Sequence, residues 1–262
     1  MMARPSLLCA CLAALTLSGC SEDASGEVQG SRGNTPILQA PANGATSGPG
    51  GKASPSPRQE QADTMPRGDL PEGEGFDFYV LALSWSPSWC QDNDPQARTA
   101  QCDSSGRGFV VHGLWPQNER GYPQFCDSSE PKRVPEALGR TLFDIMPPAL
   151  GLIGHQWRKH GSCSGLDQKA YFETLRAARE RVHLPDSLGP KAASRPSSAA
   201  ALEEALIRAN PGMTQAGIAI DCDKSRLEEV RICMTKDLAF RDCAEVDRKG
   251  CRAPALTMPA PR

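Results

Sequence analysis

The chain has 262 residues, with 29 basic and 31 acidic side chains and a formal net charge of −2. That balance excludes a polybasic coat that grips nucleic acid by charge alone, but not an enzyme that acts on nucleic acid locally. The four Trp, three Tyr and seven Phe all lie between Phe76 and Phe240, which places the packed core in the C-terminal stretch of about 190 residues.

Taken in chain order, the first element is an address. Arg4 precedes an apolar run from Leu7 to Leu17, too short to span a bilayer and suited to a signal-peptide core. It ends in Leu17-Ser18-Gly19-Cys20, which resembles the bacterial lipobox, whose cysteine is acylated and becomes the mature N-terminus. The alternative is an ordinary cleaved signal that happens to contain Cys20. Either implies export. Residues 21–72 hold eight Gly and seven Pro, and their few apolar side chains are too sparse and aperiodic to bury a core. This is the composition of a flexible linker, with a root-mean-square reach of about 40 Å.

From residue 73 to 262 one folded domain is expected. Alternation over Asp77–Trp85 predicts a largely buried strand. Phe109–His112 predicts a second, ended by Gly113, with His112 at its end. Helical spacing runs over Tyr171–Val182, and a further helix is expected over Ala199–Ala209, closed by Asn210-Pro211-Gly212. Gly217–Cys222, Glu228–Met234 and Leu238–Cys243 look like short strands joined by turns. Helices mixed with mostly sequential strands favour an α+β domain, a mostly antiparallel central sheet flanked by helices, over a doubly wound parallel sheet.

Of the eleven cysteines, Cys9, Cys11 and Cys20 belong to the leader. The remaining eight are Cys90, Cys102, Cys126, Cys163, Cys222, Cys233, Cys243 and Cys251. An even eight in an exported domain points to four disulfides, with 105 possible pairings. No Cys-x2-Cys pair supports zinc.

Three of the four histidines fall in two compact clusters, Phe109-Val110-Val111-His112-Gly113-Leu114-Trp115-Pro116 and His155-Gln156-Trp157-Arg158-Lys159-His160-Gly161-Ser162-Cys163. If residues 155–160 are helical, steps of about 100° place His155, Lys159, Gln156 and His160 within one arc of about 140° and leave Trp157 and Arg158 outside it. Gly161 is then a helix stop. Two imidazoles, an amide and an ammonium on one face suit an anion such as phosphate. A metal is disfavoured, because His155 and His160 diverge around the helix and Lys159 between them repels a cation. Each cluster seen alone also has a bland explanation, a hydrogen-bonded core histidine or a solvated helix face. His183, near a helix end, has no motif around it.

Together the two clusters resemble the ribonuclease T2 family. His112-Gly113-Leu114-Trp115-Pro116 is similar to its first active-site segment and His155–Cys163 to its second. Tyr79–Cys90 with Trp85 and Pro87 is similar to its opening strand. Tyr171-Phe172 resembles the helix after the second segment, and Ile220-Asp221-Cys222 through Cys243 the closing strands. The resemblance covers residues 76–251. It implies an endoribonuclease of low base specificity that needs no metal or other cofactor, with RNA as its partner. By the same resemblance His160 is the general base on the ribose 2′-hydroxyl and His112 the general acid at the departing 5′-oxygen. His155 contacts the phosphate, and Lys159 stabilises charge developing on its oxygens. Gln156 stands where the family pattern usually has glutamate. An amide cannot ionise, so neighbouring histidine pKa values are expected to be lower than beside a glutamate.

The family also implies the pairings Cys90–Cys102, Cys126–Cys163, Cys222–Cys251 and Cys233–Cys243. Trp115 has two readings, a platform for a base or a core side chain. Two further function classes stand beside the nuclease. One is a non-catalytic RNA-binding protein on the same fold, with Gln156 marking decay of the site. The other is a cell-envelope metallohydrolase, which the ligand spacing disfavours. The protein is expected to be an exported monomer, periplasmic, anchored at the cell envelope or secreted, touching a membrane only through an acyl group on Cys20.

Overall fold

A computed structural model describes residues 70–189, 191–192 and 195–261. The expected signal segment, Cys20 and all but the last residues of the linker lie outside the described residues. Four strands form one antiparallel sheet: β1 Phe78–Trp85, β2 Phe109–Gln117, β3 Ile218–Asp223 and β4 Arg226–Met234. Their order is β2-β1-β4-β3, so β1 and β4 are central although far apart in sequence. The helices are α1 Ser86–Asn93, α2 Glu136–Arg140, α3 Leu150–Lys159, α4 Gln168–Glu180, α5 Ala199–Ala209 and α6 Ala244–Arg248. This is the α+β architecture expected from the sequence.

The two sheet faces have different jobs. Tyr79, Leu81, Leu83 and Trp85 of β1 join Val111, Leu114, Ile218, Ile220, Val230 and Ile232 on one face. There they meet Ile153 and Trp157 of α3, Tyr171, Phe172 and Leu175 of α4, and Leu202 and Leu206 of α5, in one continuous core. Each large apolar side chain buried in this way contributes about 1.5–3 kcal/mol. The Tyr171 hydroxyl donates to the Leu114 carbonyl at 2.8 Å, fastening α4 to β2. Helix α4 starts where the Asp167 side chain accepts from the Ala170 amide, and α5 where Ser198 accepts from Ala201. At the end of α5 the Asn210 amide donates to the carbonyls of Leu206 and His183.

Two expectations need correcting. Strand β2 does not stop at Gly113 but runs to Gln117, because its pairing with β1 slips by one residue at Ala82/Leu83. Ala82 faces Gly113 and Leu83 faces Val111, which leaves His112 as the extra residue of a β-bulge. The Val111 amide leaves the ladder and donates to the Ile145 carbonyl at 2.8 Å. Residues 238–243 form no strand. The Thr235 amide closes a turn on the Ala239 carbonyl, Phe240 makes a single bridge to Met234, and the Cys243 amide donates to the Ala216 carbonyl. With the Arg241 amide on the Cys233 carbonyl this makes a pairing around one bridge, too short for a strand, because the Cys243 amide already turns away to Ala216, although Leu238 is buried in the core.

The four disulfides are Cys90–Cys102, Cys126–Cys163, Cys222–Cys251 and Cys233–Cys243. These are the pairings the family resemblance implied.

Candidate active site

On the sheet face opposite the main core, β2 supplies His112 and Trp115. Strict alternation would send residues three apart to opposite faces. The bulge at His112 brings both to one face, with ring centroids 5.3 Å apart and edge to face. Gly113 lies between them because nothing larger fits. A Cβ there would come within 2.2 Å of the Gln156 side-chain oxygen and 2.5 Å of the Trp115 indole nitrogen.

The second cluster lies on α3 and just past its end. Trp157 is buried in the core and donates from Nε1 to the Pro131 carbonyl, while Arg158 is exposed, as the helical arc required. Gln156 is 1% exposed and accepts a hydrogen bond from Trp115 Nε1 at 3.2 Å. The amide at this position therefore holds an indole in place. Helix α3 ends at Lys159, so His160 is its cap residue (φ −120°, ψ −50°) and not part of the helix. Gly161 opens a short 3-10 turn, Gly161–Cys163, and a Cβ on it would meet the Trp157 ring at 2.3 Å. Its role is close packing and not a left-handed helix stop. This turn swings the His160 ring beneath Trp115, stacked at 5.2 Å and 23°.

The disulfide Cys126–Cys163 and the hydrogen bond from the Phe125 amide to the Lys159 carbonyl (2.9 Å) tie the loop after β2 to the end of α3. The two active-site segments are thus joined by covalent, aromatic and hydrogen-bonded links. Trp115 is half-buried. It serves as a partition between His112 and His160, lines the cleft, and packs against the small apolar cluster of Phe78 and Val80.

His112, His155, Lys159 and His160 line one cleft of about 340 Å³ together with Trp115 and Arg231. A second cavity of about 260 Å³, walled by Trp89, Pro147 and Pro148, opens on the other side of His112. His160 is 5% exposed, and burial, reinforced by the charges of Lys159, His112 and His155, pushes its pKa down to about 3. Its Nδ1 is buried without a hydrogen-bond partner among the described residues, so no acceptor there supports a positive ring. His155 is exposed and also lowered, by desolvation and then by Lys159, Arg158 and His112. The site therefore pairs an imidazole held neutral with a more exposed one whose side chain is 39% accessible, beside a fixed ammonium. No group of three or more His, Cys, Asp or Glu capable of holding a metal occurs among the described residues.

Sequence reasoning missed Glu229 and Arg231. Glu229 on β4 is buried, and its Oε2 lies 2.6 Å from Nδ1 of His112. Its Oε1 accepts from Arg231 Nε at 2.9 Å, and Arg231 continues to Asp221 Oδ2 at 2.5 Å, with its guanidinium 5.7 Å from the Trp115 ring centre. Burial raises the Glu229 pKa, but the hydrogen bonds and charges of His112 and Arg231 together outweigh it and hold the carboxyl below its ordinary value. The signal was present as Glu229 and Arg231 alternating with Val230 and Ile232, two opposite charges on one face of a strand.

Residues 76–243 match the ribonuclease T2 family. A ribonuclease of Aeromonas hydrophila is 36% identical over 173 residues, 63% of this chain and 75% of that protein. A probable ribonuclease of Haemophilus influenzae is 36% identical over 123 residues, 42% of this chain and 44% of the other. Ribonuclease 1 of Arabidopsis thaliana is 26% identical over 194 residues, 68% of this chain and 71% of its own. Among solved structures, RNase NT in complex with 5′-AMP aligns over 72% of this chain and all of its own, with a TM-score of 0.55 at 23% identity. The likeness to RNase NT is one of fold.

Proposed function

Since this chain belongs to the ribonuclease T2 family and is an endoribonuclease of that type, we propose that it cleaves RNA without a metal, His160 and His112 acting as base and acid. The observation that carries the reading is the pair of rings on either side of Trp115, facing one cleft and fixed in different environments. Neutral His160 removes the 2′-hydroxyl proton, and the 2′-oxygen attacks phosphorus. His112 in its imidazolium form protonates the departing 5′-oxygen. Lys159 and His155 face the phosphate oxygens, where charge accumulates. The products are a 2′,3′-cyclic phosphate and a free 5′-hydroxyl. Water then opens the ring to a 3′-phosphate with the two histidines exchanging roles. DNA, lacking the 2′-hydroxyl, is not cut. Low base specificity belongs to the same reading, in which Trp115 offers its exposed edge to a base of any kind.

Cleavage of RNA in the presence of EDTA, with the new ends analysed, tests this reading. Undiminished cleavage that leaves cyclic phosphate is the expected result, and cleavage that stops until a divalent metal is restored overturns it.

The same reading places the enzyme outside the cytoplasm. Residues 1–20 act as an export signal, Cys20 carries an acyl anchor, residues 21–72 form the tether, and the domain works as a monomer. Four disulfides suit an oxidising compartment. Cys20→Ser should release the protein from membranes, and a wild-type protein that is already soluble would refute the anchor.

A further inference from the structure

We propose that Glu229 is the positioning residue for His112, fixing which imidazole nitrogen faces the substrate. The inference rests on His112 being the general acid. It comes from a part of the chain 117 residues away from that histidine, on a different strand.

The side chain of Glu229 is 7% accessible. A carboxylate so placed is costly unless its oxygens are engaged, and here both are. Oε1 takes the Arg231 guanidinium at 2.9 Å. Oε2 takes His112 Nδ1 at 2.6 Å, and the Ser84 hydroxyl donates to the same oxygen at 3.3 Å. Arg231 would suffice to neutralise the buried charge. The shorter contact nevertheless goes to the histidine, and Asp221 and the Trp115 ring hold Arg231 from behind.

The consequence is chemical. An ionised carboxylate can only accept, so Nδ1 of His112 must carry a proton. Nε2 is then the nitrogen left for the cleft. In the first step Nε2 gives its proton to the leaving 5′-oxygen. In the second step the same nitrogen, now bare, must accept one from water. The first step leaves, and the second step starts from, the neutral ring in its Nδ1–H tautomer, which is the less common form of free imidazole side chains, and Glu229 selects it.

His112 also needs an external hold because it is the extra residue of a bulge, with no partner of its own on β1. Gln156 does not serve, since its side-chain oxygen, the group that could accept from the imidazole, takes the Trp115 indole instead. Glu229 is the one carboxylate hydrogen-bonded to any of His112, His155, Lys159 and His160 among the described residues.

The test compares Glu229→Gln and Glu229→Asp with wild type on a dinucleotide substrate. It is combined with 15N NMR of the His112 ring, assigned by its disappearance in His112→Phe. Expected is a loss of about 10²–10⁴-fold in kcat for Glu229→Gln with KM within about twofold, because tautomer and aim act on the proton transfer and not on binding. Glu229→Asp, which keeps the charge, should recover part of it. In wild type the neutral ring should carry its proton on Nδ1, and in Glu229→Gln this preference should fall. A Glu229→Gln enzyme within threefold of wild-type kcat overturns the proposal. So does a wild-type ring protonated on Nε2, a measurement that decides the matter even if the variants fail to fold. Metal-free cleavage and cyclic product in the wild type are scored separately, so a failure here leaves the acid–base reading standing and a failure there is recognised as such.

Discussion

Gly113→Ala isolates the contact that joins the two active-site segments. In an open strand position the change from Gly to Ala would stabilise the fold by about 0.5–1 kcal/mol. Here the added methyl lands 2.2 Å from Gln156 Oε1, 2.5 Å from Trp115 Nε1 and 3.0 Å from the Gln156 amide carbon, all in a region where Gln156 is 1% exposed. The methyl can be housed only by driving Gln156 from Trp115. Overpacking of this kind costs about 1–3 kcal/mol, and the broken buried hydrogen bond adds about 1–3 kcal/mol more. A destabilisation of about 2–5 kcal/mol follows, read as a lower urea midpoint with an unchanged slope.

Trp115 stacks on His160, so the displacement reaches the chemistry. A shift of about 1 Å in a reacting group typically costs about 10²-fold, and RNA cleavage should fall by about 10–100-fold. Gln156→Ala removes two of the three close contacts and the hydrogen bond that pins Trp115, so the indole can yield to the methyl. In that background Gly113→Ala should cost about 1 kcal/mol, giving a coupling of about 1–4 kcal/mol in the double-mutant cycle. Additivity within 0.5 kcal/mol, or a Gly113→Ala enzyme with wild-type stability, would refute the reasoning.

Three further outcomes follow from the same geometry. His112→Phe and His160→Phe should each lower RNA cleavage by at least about two orders of magnitude without unfolding the domain. The wild-type pH–rate profile should be bell-shaped, with its acid limb below the ordinary histidine range because His160 stays neutral down to about pH 3, and a His112→Phe enzyme retaining more than a tenth of wild-type activity contradicts the assignment. The depressed His160 pKa also makes stability pH-dependent. Between pH 6.5 and about 3 the unfolded chain binds a proton that the folded one refuses, so stability present above pH 6.5 is lost as pH falls through this window. Its loss, on the order of a few kcal/mol, should shrink in His160→Phe, and identical pH slopes in the two proteins would count against it. Finally, removing Cys126–Cys163 as a double Ser variant opens a link of sequence separation 37, worth about 4 kcal/mol on the chain-entropy relation. It should impair kcat along with stability, since it frees the end of α3 from the loop after β2; full activity in the folded variant would show that the bridge does not align the site.

What the sequence determined by itself was local. The alternation of Phe78–Trp85 and the spacing of Tyr171, Phe172, Leu175 and Ala178 already mark the elements that bury the core, because burial on one face imposes the period directly. The two histidine segments likewise announced phosphate chemistry, since His155, Lys159 and His160 stand within six residues of one another. Tertiary structure alone decided how these groups meet. Alternation along β2 would have placed His112 and Trp115 on opposite faces, and only the slipped pairing with Ala82 and Leu83, a property of two strands, reverses it. His160 looked like one more residue of a helix face. Its burial comes from leaving the helix at Lys159 and lying under an indole from another strand, and its lowered pKa follows from that burial. Glu229 resembled any surface charge beside Glu228 until β4 was laid next to β1 with Glu229 opposite Ser84, within reach of His112. Pairing partners distant in the chain leave no periodic trace in either segment. The chemistry of a residue type is written locally, whereas its protonation and aim are set by neighbours that only the folded sheet brings together.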